Sequence, residues 1–136
     1  MKTIKEVSRM LDIPAHTIRY YTDMGLVPNV ARSGTNYRLF DDEAIDWLKG
    51  TVYFRSLGLS IKDIIRYHDL CFREDDGALF ERYALLKEYT GKAKDELEKA
   101  KERVAYLERI TERDRLIAEK LMDDVKNPVR KKEVSA

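Results

Sequence analysis

The sequence predicts a mainly α-helical fold, with four short helices interrupted by one small β-hairpin and followed by one long helix. Three observations carry that expectation. Helix-start signatures recur at Thr3, Asp41 and Ser60, each ahead of apolar residues spaced by three and four. A single polar turn, Ser33-Gly34-Thr35-Asn36, separates two extended runs. Beyond Gly77 the chain carries few helix breakers until Pro128.

The first helix starts at Thr3-Ile4-Lys5-Glu6, a capping box in which hydroxyl and carboxylate satisfy backbone donors left unpaired at a helix start. Ile4, Val7, Met10 and Leu11 form its buried stripe, and Asp12-Ile13-Pro14 interrupts it. Pro14 suits the first turn of a second helix through Tyr21, which ends near Gly25 and is kept from resuming by Pro28. Asn29-Val30-Ala31-Arg32 and Tyr37-Arg38-Leu39-Phe40 are the arms of the hairpin. Asp41, Asp42 and Glu43 place a cap and negative charge where the helix dipole favours both, and Ile45, Leu48 and Val52 mark the inner face of the third helix. That helix stops at Gly58. Ser60-Ile61-Lys62-Asp63 opens a fourth, carrying Ile61, Ile64 and Ile65 and ending near Leu70.

Arg73-Glu74-Asp75-Asp76-Gly77 is a charged break before the long helix, in which Gly91 is the weak point, about 1 kcal/mol worse than alanine. Leu86, Thr90, Ala93, Leu97, Ala100, Val104 and Leu107 alternate at spacings of four and three, the a/d seam of a coiled coil. Ile110, Ile117 and Leu121 leave that register, so the regular coil ends or stutters near Thr111 and the tail folds back. The expected organisation is a winged helix-turn-helix head over 1–72, a dimerisation helix over 78–122 and a disordered tail over 126–136.

Composition bounds the function. The chain has 136 residues with a formal net charge of +1, so bulk electrostatics gives nucleic-acid binding no support and the placement of charge must. One cysteine, Cys71, excludes an internal disulfide or a thiolate-cluster metal site and suits a reducing cytoplasm. No apolar stretch approaches the roughly 18 residues of a membrane span. No nucleophile with a general base, phosphate-cradling loop or catalytic carboxylate pair is present, which argues against an enzyme, and no cofactor is expected.

A helix-turn-helix reader projects polar and cationic side chains from its second helix into the major groove. Here His16, Thr17, Arg19 and Tyr20 form the outer face and Ile18 the inner one, and the hairpin adds Arg32, Asn36 and Arg38. From Ala15 to Phe40 the arginines 19, 32 and 38 face one acid, Asp23, so this segment is basic within a nearly neutral chain. Ile4-Lys5-Glu6-Val7, Thr17-Ile18-Arg19-Tyr20-Tyr21, Gly25-Leu26-Val27-Pro28, Asn36-Tyr37-Arg38-Leu39-Phe40 and Arg55-Ser56-Leu57-Gly58-Leu59-Ser60 stand in the order and spacing of one signature. On these motifs residues 2 to 70 closely resemble the N-terminal region of the MerR family of transcriptional regulators. The long helix resembles that family's antiparallel dimerisation coil by pattern.

The resemblance implies a homodimer that binds a palindromic operator in double-stranded promoter DNA. It implies that the dimer bends and untwists an over-long spacer so that RNA polymerase can use the promoter. Carried over by position, Thr17, Arg19 and Tyr20 lie on the recognition helix, Arg32, Asn36, Tyr37 and Arg38 in the wing on flanking phosphates, and Lys62 on phosphate. Leu86, Ala93, Leu97, Ala100, Val104 and Leu107 are the expected dimer interface.

The effector is not legible. Metal-sensing relatives carry paired cysteines in the dimerisation region, and aldehyde-responsive ones a cysteine in the third helix. This chain has Cys71 alone and Val52-Tyr53-Phe54 in the third helix. Its length also leaves no room for an appended drug-binding domain. Cys71, Tyr67, Phe72, Phe80 and Tyr83 are candidates for a small-molecule or redox effector, against the plainer reading as core and interface packing. His16 and His68 have no companion ligands and read as surface or capping side chains. The rival to a DNA reader is a coiled-coil adaptor whose reused head binds protein.

Overall fold

The computed structural model describes residues 1–28, 30–32 and 37–124, and of Arg32 only the backbone. The elements are β1 (Lys2–Thr3), α1 (Ile4–Leu11), α2 (Ala15–Asp23), β2 (Ala31–Arg32), β3 (Arg38–Phe40), α3 (Asp42–Ser56), α4 (Ile61–Cys71) and α5 (Asp76–Ala118). The chain divides into two compact units, Met1–Tyr89 and Thr90–Ala136. The turn at 33–36 and the tail over 126–136 lie outside the described residues.

The helix starts are made by the side chains that the sequence nominates. Glu6 N–H donates to Thr3 Oγ1 at 3.2 Å and Thr3 N–H returns to Glu6 Oε1 at 3.1 Å, closing the capping box. Those bonds from Thr3 hold the Glu6 carboxyl below its ordinary value. Asp41 caps α3 through the Ala44 N–H at 2.7 Å, and Ser60 caps α4 through the Asp63 N–H at 3.1 Å. The charged break before α5 is itself a cap: an Asp75 carboxylate oxygen accepts from the Ala78 N–H at 3.1 Å while Arg73 grips both oxygens at 2.9 and 2.8 Å. Arg73 is also the main reason the Asp75 carboxyl is lowered. A Cβ on Gly77 would stand 2.9 Å from that carboxylate, which is why the second residue of α5 has no side chain.

All the helix ends but that of α4, which closes at a right-handed Phe72, carry a left-handed residue. Gly25 (φ 78°) sits where Leu26 N–H reaches Tyr21 O at 3.0 Å, and Gly58 (φ 94°) where Leu59 N–H reaches Phe54 O at 3.1 Å. Two non-glycines do the same work: Asp12 (φ 54°) ends α1, and Lys120 (φ 63°) ends α5 with Leu121 N–H on Leu116 O at 2.8 Å. The long helix runs without a break through Thr111 and ends at Ala118.

The hairpin gains a strand that the sequence reading lacks. β1 pairs antiparallel with β3 (Lys2 opposite Phe40, Thr3 opposite Leu39), and β2 pairs on the other side (Ala31 opposite Leu39, Arg32 opposite Arg38). The order is β1-β3-β2. Two residues are too short for a periodic signal, and Thr3 serves as strand and cap at once. The sheet and α1 to α4 close over one core of Val7, Ile18, Leu26, Phe40, Ala44, Leu48, Leu59 and Ile64, with Leu86 and Tyr89 from α5 packed against it.

His68 departs from its expected surface or capping role. It is buried, its Nδ1 lies 3.1 Å from the Leu26 carbonyl oxygen, and its ring meets Trp47 edge-on at 4.6 Å. A carbonyl only accepts, so Nδ1 carries the proton. Burial pushes the imidazole below its ordinary 6.5, outweighing the Leu26 bond and the Asp69 charge, which raise it.

Two outcomes follow for stability. Gly58→Ala should cost about 1–2 kcal/mol in denaturant unfolding, from the left-handed backbone alone, because no atom lies within 4 Å of the added carbon; a neutral result would refute the cap. Burial keeps His68 neutral in the fold while the unfolded chain takes up a proton near 6.5, so its contribution is complete above that pH and is lost as pH falls toward the lowered native value. Melting temperature should drop on acidification from about pH 8 to about pH 5 less steeply in His68→Phe than in the parent. Equal slopes would remove His68 as the cause.

Candidate nucleic-acid interface

Which side of α2 is buried decides which side can read. Ile18 is fully buried and Tyr21 is 8% exposed, whereas His16 and Arg19 are exposed, Tyr20 is 49% exposed and Thr17 is half-buried. With 3.6 residues per turn, anchoring Ile18 and Tyr21 turns Arg19 and Tyr20 to solvent. No side chain caps the start of α2, whose N-cap is Pro14, and its first turn carries no acid. The donors of that turn are therefore free of an internal anion, the condition under which a helix start attracts phosphate.

The wing is tied to this helix. Arg38 on β3 donates to Asp23 at the end of α2 at 2.7 Å, with the Arg38 side chain 17% exposed and that of Asp23 61%. Tyr37 beside it is 67% exposed. Lys62 stands exposed in the first turn of α4. Arg32 lies opposite Arg38 across the ladder, but its side chain falls outside the described residues, as does Asn36. Arg19, Tyr20 and Lys62 are thus open to a partner, Tyr37 is exposed beside them, and Arg38 spends part of its charge inside the fold.

Lys62 sits on a helix start held from another element. The Tyr89 hydroxyl accepts from the Ser60 N–H at 3.2 Å and donates to the Asp63 carboxylate. In a simple capping box Asp63 would reach the Ser60 N–H directly; here Tyr89 of α5 is interposed.

In the unit from Thr90 onward, Ala93, Leu97, Val104 and Leu107 are exposed and Ala100 is half-buried, so most of the nominated seam lies uncovered in the single chain. Leu86, the first seam position, packs on the head core. Ion pairs such as Glu98–Lys101 (3.2 Å) and Glu112–Arg115 (2.6 Å) are solvated and worth little individually.

The effector candidates differ in their surroundings. Cys71 is half-buried, Phe72 stacks on Trp47 at 5.1 Å, and Phe80 and Tyr83 are exposed. Tyr67 lies beneath Arg82, whose guanidinium carbon is 5.2 Å from the ring centre. Of the five candidates, Tyr67 lines a cleft of about 220 Å³ between α3 and α4, together with Asp46, Trp47, Gly50, Phe54 and His68. Sequence reasoning nominated none of the other lining residues for a pocket and read His68 as a surface or capping side chain; a glycine inside a helix was the available signal.

Comparison with known proteins agrees with this arrangement. The profile of the MerR HTH family regulatory proteins matches residues 2–70. An HTH-type transcriptional regulator of Haemophilus influenzae is 31% identical over 106 residues, covering 78% of each chain. A crystal structure of a MerR family regulator from Listeria monocytogenes is 35% identical, with a TM-score of 0.69 over 84% of this chain and 86% of that one. HiNmlR, a MerR family regulator lacking the sensor domain and crystallised on promoter DNA, is 29% identical with a TM-score of 0.67, covering 85% and 92%.

Proposed function

Since the chain belongs to the MerR family of helix-turn-helix regulatory proteins, we propose that it is a homodimeric transcription regulator acting on a palindromic promoter operator in the cytoplasm. The observation that carries this reading is the exposed His16, Arg19 and Tyr20 face of α2, fixed by the burial of Ile18 and flanked by the wing. The promoter DNA held by the similar HiNmlR supports it. That complex gives the adaptor reading no comparable support.

In this reading α2 enters the major groove. The Arg19 guanidinium can fork onto a guanine edge or a phosphate, and the hydroxyls of Thr17 and Tyr20 bond phosphate and set the register. Tyr37 and Arg38 of the wing, with Arg32 and Asn36, hold the flanking backbone, and Lys62 adds a contact from α4. Two heads joined through Ala93, Leu97, Ala100, Val104 and Leu107 meet successive turns of one duplex. Phosphate contacts on either side offset the cost of bending and untwisting the centre, so RNA polymerase meets realigned promoter elements and part of the specificity lies in deformable central sequence. The effector that sets the balance between states is a small molecule or oxidant.

Binding to a dyad-containing fragment from the gene's own upstream region, followed by fluorescence anisotropy over a salt series, tests this. Arg19→Ala should lose about 1–3 kcal/mol and relax sequence preference. Lys62→Ala should weaken all sequences alike and reduce the salt slope by about 1. Light scattering should give twice the chain mass. Undiminished binding by Arg19→Ala, or a monomer at micromolar concentration, would overturn the reading.

A further inference from the structure

The cleft between α3 and α4 is built around an absence. Gly50 lies in the middle of α3, where glycine is worth about 1 kcal/mol less than alanine. Its backbone is not left-handed and no atom lies within 4 Å of where its Cβ would be, so neither strain nor crowding in the fold requires glycine there. What the missing side chain does is leave open the cleft that Gly50 lines.

The walls have a definite chemistry. Trp47, Phe54 and Tyr67 are aromatic, and they are rigidly set: Phe54 meets Tyr67 edge-on at 4.9 Å, and Trp47 is braced by Phe72 at 5.1 Å and by His68 at 4.6 Å. His68 spends its Nδ1 proton on the Leu26 carbonyl, so Nε2 keeps a lone pair. No buried side-chain nitrogen or oxygen of the described residues lacks a partner, and Nε2 makes no hydrogen bond, so this acceptor opens onto the cleft that His68 lines. Asp46 on the rim is exposed and makes no ion pair among the described residues. Arg82 is held against Tyr67. The cleft therefore offers aromatic faces, a neutral nitrogen acceptor and a carboxylate, and no free donor of positive charge among its lining residues.

We propose that this cleft binds a small organic cation with an apolar body and N–H donors, such as an aromatic amidinium or ammonium. The body lies against Trp47 and Phe54, and the charged end is shared between Asp46 and Nε2 of His68. The site lies within the head, and its occupancy does not depend on the promoter-binding reading, so the two can fail separately.

Trp47 is the only tryptophan in the chain, which makes it the reporter. The full-length protein would be titrated with benzamidinium and, as the anion of similar shape, with benzoate, following Trp47 fluorescence without DNA. Saturable quenching by benzamidinium and none by benzoate is expected. Asp46→Asn, a change at an exposed position, should weaken it about tenfold or more. Gly50→Leu should abolish it by filling the cleft, with helical circular dichroism retained. Absence of a saturable response, an equal response to benzoate, or a response that persists in either folded variant would overturn the assignment.

Discussion

The burial of Ile18 is the constraint on which the proposed interface depends. It sits between Thr17 and Arg19 on a helix of nine residues, and it is completely enclosed by a core to which α1, β3, α3 and α4 each contribute. A short helix has little stability of its own, so packing sets its orientation. Rotating α2 far enough to hide Arg19 would expose an isoleucine and a tyrosine and leave a void in the core, and tightly packed interiors tolerate neither. The polar face is thus held in place by apolar groups that never meet a partner.

Around that core the same devices recur: side chains close the starts of α1, α3, α4 and α5, and left-handed residues close the ends of α1, α2, α3 and α5. These devices are local, which is why Thr3 with Glu6, Asp41, Ser60, Gly25 and Gly58 were legible in the sequence. The basic stretch on α2 and the wing was legible for the same reason. Asp12 and Lys120 were not, since neither residue type announces a left-handed turn as glycine does. β1 escaped notice because two residues show no alternation.

What the sequence hid most completely was contact between distant segments. His68 looked like a solitary polar residue near the end of α4, yet its partner is a carbonyl 42 residues earlier. Tyr89 looked like one more aromatic at the head of a long helix, but its hydroxyl completes the start of α4. The cleft was hidden likewise, because its lining alternates between two helices and only Tyr67 had drawn attention as an aromatic. Residue type gives the repertoire of bonds, and the fold chooses the partner.

The pairing of Arg38 with Asp23 changes how the head looks from afar. Joined at 2.7 Å, the two cancel to a small dipole, so the distant field of this region is weaker than a tally of arginines suggests. A polyanion drifting past at long range would feel modest attraction. Only on close approach, when an oxygen of its own can compete with the aspartate, does the Arg38 guanidinium come into play, favouring a well-seated complex over a glancing one.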